Sequence, residues 1–123
     1  VGRHPFPRGI THADQDSETE INGRFLCVEG KRTGERLERG QKYTMEARVR
    51  DGRTCLIVYG NPETLTITHL QHYPGPVVAA DWQMFYEFER AWAAWAEQQP
   101  KPEDRTSAFR APWAPGEPRR EAA

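Results

Sequence analysis

The residues whose types and spacing could do chemistry in this 123-residue chain are four histidines, two cysteines, two serines and a few neighbouring carboxylates. His69 and His72 stand three apart, a spacing that can bring two imidazoles to one metal ion, but no cysteine or carboxylate follows at ligand distance. They are expected to be solvated loop histidines, as are His4 and His12. Cys27 lies between Leu26 and Val28, and Cys55 between Thr54 and Leu56. A nucleophilic cysteine needs an adjacent base and an electropositive pocket, whereas a mid-strand cysteine behaves as a small apolar residue. Buried reduced thiols are therefore the first expectation, and pairing depends on geometry that spacing does not reveal. Glu87 and Glu89, two apart on a helix, diverge by about 200° and do not form a carboxylate pair. Ser17 and Ser107 lie outside any Gly-x-Ser-x-Gly turn, and the glycines are isolated turn residues that build no phosphate-binding loop. The expectation is a protein that is not an enzyme, with no catalytic residues, no metal and no cofactor.

Charge is uneven although the net value is -1. Between positions 24 and 53 there are nine basic and five acidic residues, against eight basic and thirteen acidic elsewhere. Lys42, Arg48, Arg50 and Arg53 are candidates for one face toward an anionic partner, and small barrels do bind single-stranded nucleic acid in this way. Against that, the aromatic residues that would stack on bases lie in the apolar phase of the strands or on the helix.

These residues must be positioned by a small core, because the mean hydropathy is -0.87 and only 37% of residues are hydrophobic. Residues 42–59, KYTMEARVRDGRTCLIVY, carry the strongest pattern: Tyr43, Met45, Ala47 and Val49 alternate with polar residues, Asp51-Gly52 suits a type I′ turn, and 53–59 is a β-branched and aromatic run. This predicts a β-hairpin. Shorter strands are expected at 24–29 and 64–68, with turns at 30–34 and 35–40 and a fifth strand if 35–37 pairs. Four to five short strands suggest a mainly β fold, a small SH3-like or OB-like barrel. One C-terminal α-helix is expected from about 77 or 81 to 99, capped by Asp81, ended by Pro100 and packed on the barrel. Its aromatic residues cover about half of its circumference, wider than one contact requires. The organisation expected is an extended arm over 1–22, a barrel over 23–73, a linker and helix over 74–99 and a Pro-rich arm over 100–123. On that reading, deleting 101–123 leaves thermal stability nearly unchanged.

The strand Phe25-Leu26-Cys27-Val28-Glu29, the turn Gly30-Lys31-Arg32-Thr33-Gly34 and the strand start Arg39-Gly40-Gln41-Lys42-Tyr43-Thr44 resemble short uncharacterised bacteriophage and prophage proteins with a small β-barrel, over about residues 24–59. The resemblance carries no catalytic residues. It implies an accessory subunit of a large assembly, a capsid decoration or tail-associated protein, located in a virion or host cytoplasm. Protein subunits, including further copies of this chain, would be its partners. Phe6, Tyr86, Trp92, Trp95, Phe109, Arg110 and Trp113 are the expected interface residues, since aromatics and arginine dominate such contacts. Alternatives are a small-barrel nucleic-acid-binding protein and a phage protein that inhibits a host factor. No secretory h-region and no membrane-spanning apolar stretch is seen.

Overall fold

The structure, a computed structural model, describes residues 16–100 and 109–113. The expectations for Phe6, His4, His12 and Ser107 lie outside the described residues. Five strands, β1 (Asp16–Ile21), β2 (Arg24–Arg32), β3 (Thr54–Asn61), β4 (Thr66–His72) and β5 (Val77–Ala79), form one sheet in the order β1-β2-β3-β4-β5. Helix α1 (Arg39–Arg50) connects β2 to β3, and α2 (Trp82–Glu97) follows β5. The protein is mainly β with a C-terminal helix, but the sheet is open, with β1 and β5 at its edges, and does not close into an SH3-like or OB-like barrel.

The sheet begins where the sequence reading placed an arm. Asn22 and Gly23 have φ of 56° and 81° and join Ile21 to its ladder partner Arg24. Two positive-φ residues between antiparallel strands are the requirement of a type I′ hairpin turn. Asn22-Gly23 is thus the tight hairpin, and residues 16–21 belong to the sheet. β2 also continues through Gly30 and Lys31 to Arg32, positions expected to turn.

The largest correction concerns residues 39–50, which are helical and not the first strand of a hairpin. Gln, Lys, Met, Glu, Ala and Arg are good helix formers, and both ends are capped. The Gln41 side-chain oxygen accepts the Glu38 N–H at 2.9 Å, half of a capping box. At the other end Gly52 has φ 89°, its N–H bonds to the Val49 carbonyl at 2.9 Å and the Arg53 N–H bonds to the Arg48 carbonyl at 2.9 Å. That pair of bonds is a Schellman motif. Asp51-Gly52 therefore ends a helix with the same left-handed glycine that a hairpin would use. The alternation of Tyr43, Met45, Ala47 and Val49 does not mark a buried face: Met45 is buried, while Tyr43 is 64% exposed.

With a helix between them, β2 and β3 run parallel, as a crossover connection permits. Every residue of β3 except Asn61 is buried, and the run Thr-Cys-Leu-Ile-Val-Tyr-Gly fits a strand covered on both faces. One face carries Leu26, Val28, Leu56, Val58 and Leu70 against Phe85, Phe88, Trp92 and Ala96 of α2. The other carries Cys27 and Cys55 beneath Met45, with Val49 and Tyr73 at the margin. Gly60 is required at the β3 register shift, since a Cβ there would lie 2.0 Å from the Thr66 carbonyl oxygen.

Helix α2 forms where expected: the Asp81 side chain accepts the Met84 N–H at 3.0 Å. Its wide aromatic surface is covered by the chain itself. Phe109 and Ala111 are buried in the same core, and Phe109 lies 5.3 Å from Phe88 and 5.6 Å from Trp95, centroid to centroid. Trp113 stacks at 5.3 Å on Phe88. Residues 109–113 are therefore a strap over α2, and truncation at residue 101 removes part of the core, contrary to the sequence expectation.

Candidate functional site

The ladder registers define rows of side chains across the sheet on the α1 side. One row is Lys31, Tyr59 and His69, on β2, β3 and β4; the next is Glu29, Ile57 and Gln71. Period-2 alternation puts Glu29 and Lys31 on one face of β2. Asp16 of β1 is the ladder partner of Glu29. Glu29 and Lys31 are only 6% and 5% exposed, and Lys31 has neither a hydrogen bond nor an ion pair among the described residues. The Lys31 stem is buried while its ammonium, which is not among the fully buried polar atoms, keeps contact with solvent.

Beside this row a cleft of about 720 Å³ runs along the α1 face of β3 and β4, lined by neither Glu29 nor Lys31. Its floor is Tyr59, His69 and Gln71, its far wall Tyr73, Pro74 and Val77, and its rim the 33–37 loop with Lys42 and Glu46 of α1. The polar floor is ordered internally. The Tyr59 hydroxyl donates to Gln71 Oε1 at 3.1 Å, Gln71 Nε2 donates to the Gly75 carbonyl at 2.8 Å, and burial pushes the Tyr59 phenol up. His69 Nδ1 lies 2.9 Å from the Thr68 hydroxyl, itself 2.7 Å from that of Thr33.

Below these rows Cys27 and Cys55 are direct ladder partners, both free and buried. Cys27 Sγ donates to the Glu18 carboxylate at 3.3 Å. The neighbouring Cys55, together with burial, holds the Cys27 thiol well above its ordinary range; Cys27 and the cations of Arg48 and Arg53 pull Cys55 down against burial.

The residues singled out from sequence are dispersed. Lys42, Arg48 and Arg50 are on α1 instead of a strand face, and Lys42 is about 12 Å along the axis from Arg50. Lys42 borders the cleft, Arg48 faces Cys55, and Arg53 pairs with Glu18 and Asp51 while covering the Phe25 ring at 4.4 Å. They form no common anionic-partner face. Of the expected interface residues, Trp92 (1% exposed) and Phe109 are core, Trp95 and Trp113 pack against the core, and Tyr86 and Arg110 are exposed. His69 and His72 diverge: His69 floors the cleft, while His72 packs edge-on to Phe88 at 5.5 Å on the α2 side. Glu29 and Lys31 were missed because positions 30–34 read as a turn. The available signal was a charged residue on either side of Gly30 directly continuing an apolar strand.

The chain matches no protein-family model, no curated protein and no solved structure.

Proposed function

We propose that the chain is a divalent-cation-dependent phosphodiester hydrolase acting on nucleic acid, with Glu29 and Lys31 at its centre. The observation that carries this reading is Lys31, a residue only 5% exposed with no hydrogen bond or ion pair among the described residues, two residues from the buried Glu29 on the same strand face. Such a cation calls for an anionic ligand. Glu29 and Lys31 together are neutral as residue types, and one divalent cation beside them makes the site positive, as a phosphodiester requires.

The donor set suits magnesium. No group of three or more His, Cys, Asp or Glu that could hold a metal forms among the described residues, and magnesium binds through one or two carboxylates, retained waters and substrate phosphate. Glu29 would hold the ion through its carboxylate, with retained waters and the substrate phosphate completing the shell. When bound it supplies Lewis-acid polarisation of the phosphoryl group and a water of lowered pKa. Lys31 contributes a fixed positive charge beside the non-bridging oxygens, where negative charge develops as the water oxygen attacks phosphorus and the bond to the leaving oxygen breaks. The expectation of a non-enzymatic protein rested on motifs contiguous in sequence, whereas these residues are assembled by a ladder. The accessory-subunit reading has lost Trp92 and Phe109 as contact residues, and no observation on the sheet favours it.

The test is cleavage of labelled single- and double-stranded oligonucleotides by the full chain with magnesium or manganese, against an EDTA control. Glu29→Gln and Lys31→Met should each lower the rate by about 10²-fold or more, the scale of one lost electrostatic contact in the transition state. Cleavage that persists in both variants would sink the assignment.

A further inference from the structure

The hydrolytic reading makes no use of the two thiols in the sheet. We propose, independently of that reading, that Cys27 and Cys55 are a redox-active dithiol, converted by a small peroxide into a disulfide that joins β2 to β3 across the parallel seam.

The geometry is already that of a pair. Cys27 and Cys55 are ladder partners in the parallel register and share the α1 side of the sheet beneath Met45. Neighbouring strands lie about 4.7–4.9 Å apart, inside the roughly 4.4–6.8 Å between Cα atoms that a disulfide spans. The two thiols are within hydrogen-bonding reach of each other, and both are free. The chain has two cysteines in all, so no third thiol competes for either.

The surroundings are those of a reacting pair. Core thiols that serve only as packing need apolar neighbours alone. Here Cys27 Sγ donates to the Glu18 carboxylate at 3.3 Å, and the cations of Arg48 and Arg53 face Cys55. Positive charge beside a thiol favours the thiolate, the form that attacks. Glu18 lies on the edge strand β1 with its side chain 45% exposed, so a proton that it accepts can pass to solvent. Access is through α1, of whose 12 residues Met45 alone is buried. An element held by so few buried apolar contacts opens locally at low cost.

The Cys55 thiolate attacks one peroxide oxygen; the S–O bond forms as the O–O bond breaks, and the departing hydroxide takes up a proton as water. Cys55 is then a sulfenic acid. Cys27 gives its proton to Glu18 and attacks the Cys55 sulfur. The S–S bond forms as the S–O bond breaks, and the second hydroxide leaves as water with the proton from Glu18. Two thiols and one peroxide thus yield one disulfide and two waters.

The experiment exposes the folded full chain to hydrogen peroxide in EDTA, denatures it, alkylates the remaining thiols and measures intact mass. The expected product is a single chain lighter by two hydrogens that takes up no alkyl group, shows a Cys27–Cys55 link in its peptide map and regains two alkylatable thiols after dithiothreitol. It should also melt at a higher temperature than the reduced chain, because the link restricts the unfolded state. Cys27→Ser should stop at the Cys55 sulfenic acid, trapped by dimedone. Glu18→Gln should slow disulfide closure by about tenfold or more, so that the sulfenic acid accumulates. Two thiols still alkylatable after peroxide, disulfides only between chains, or no dimedone adduct on Cys55 in Cys27→Ser would each overturn the proposal.

Discussion

Replacing Lys31 by methionine should make the protein more stable and less active, and the two effects follow from one fact. Lys31 is 5% exposed on a central strand and has no hydrogen-bond or ion-pair partner among the described residues. Methionine has nearly the same length and shape, so it fills the space while removing the desolvation cost of the ammonium. Even buried ion pairs can be replaced by apolar residues of similar volume with a neutral or stabilising effect of about 1–4 kcal/mol. The Lys31 ammonium is not among the fully buried polar atoms and so keeps part of its hydration, which puts the gain at the low end, about 1–2 kcal/mol. For a folded unit of this size, each kcal/mol moves the melting temperature by roughly 4–8 °C. Thermal unfolding by circular dichroism should therefore show a rise of about 4–16 °C, together with loss of magnesium-dependent cleavage. A lysine maintained at the expense of stability is what a functional site looks like. A fall in melting temperature would show that the ammonium contributes to folding, and the argument from an unmet positive charge would fail.

Phe109→Ala should destabilise by about 3 kcal/mol, the low end for a buried phenylalanine because the strap can detach locally; deletion of 101–123 should cost at least as much, read by denaturant midpoint. His72 is held below its ordinary pKa of about 6.5 by burial against Phe88 and Phe109. The unfolded chain then binds a proton that the folded chain refuses, so stability is fully present above about pH 6.5 and falls as pH drops toward the folded pKa. The urea midpoint measured at pH 7 and pH 5 should show this loss, and His72→Leu should flatten it. Gly52→Ala forces a Cβ into the left-handed region and should destabilise by about 1–2 kcal/mol, with reduced helix content in the far-UV spectrum.

The parts of the fold legible in sequence are those whose signals are local and unambiguous. Asp81 as a cap, the stop before Pro100 and the apolar run of β3 each have one reading. Asp51-Gly52 has two, because a left-handed glycine serves a hairpin turn and a Schellman end equally, and the chance alternation of residues 43–49 tipped the reading toward the hairpin. Correcting it changes the sheet: with α1 between them, β2 and β3 become parallel and Cys27 meets Cys55. Asn22-Gly23 carried the stronger hairpin signal, but the preceding DSETEI is poor in strand formers and read as an acidic arm. The candidate site was hidden for a related reason. Glu29 and Lys31 are adjacent to Tyr59, His69 and Gln71 only through ladder registers, and no spacing along the chain encodes those. The width of the α2 aromatic surface did indicate a second cover, which proved to be Phe109 and Trp113 of the same chain.

Strand order follows chain order, so β1 with β2 and β3 with β4 and β5 are two locally connected units that meet along one parallel seam. Glu29 and Lys31 belong to the first unit, and Tyr59, His69 and Gln71 to the second. The seam requires loop closure across α1, a non-local contact of the kind that slows folding. A chain cut within residues 33–37 would yield two fragments, each with half of the proposed site. Regained cleavage on mixing them would then report the joining of β2 to β3, turning the site into a clock for that seam.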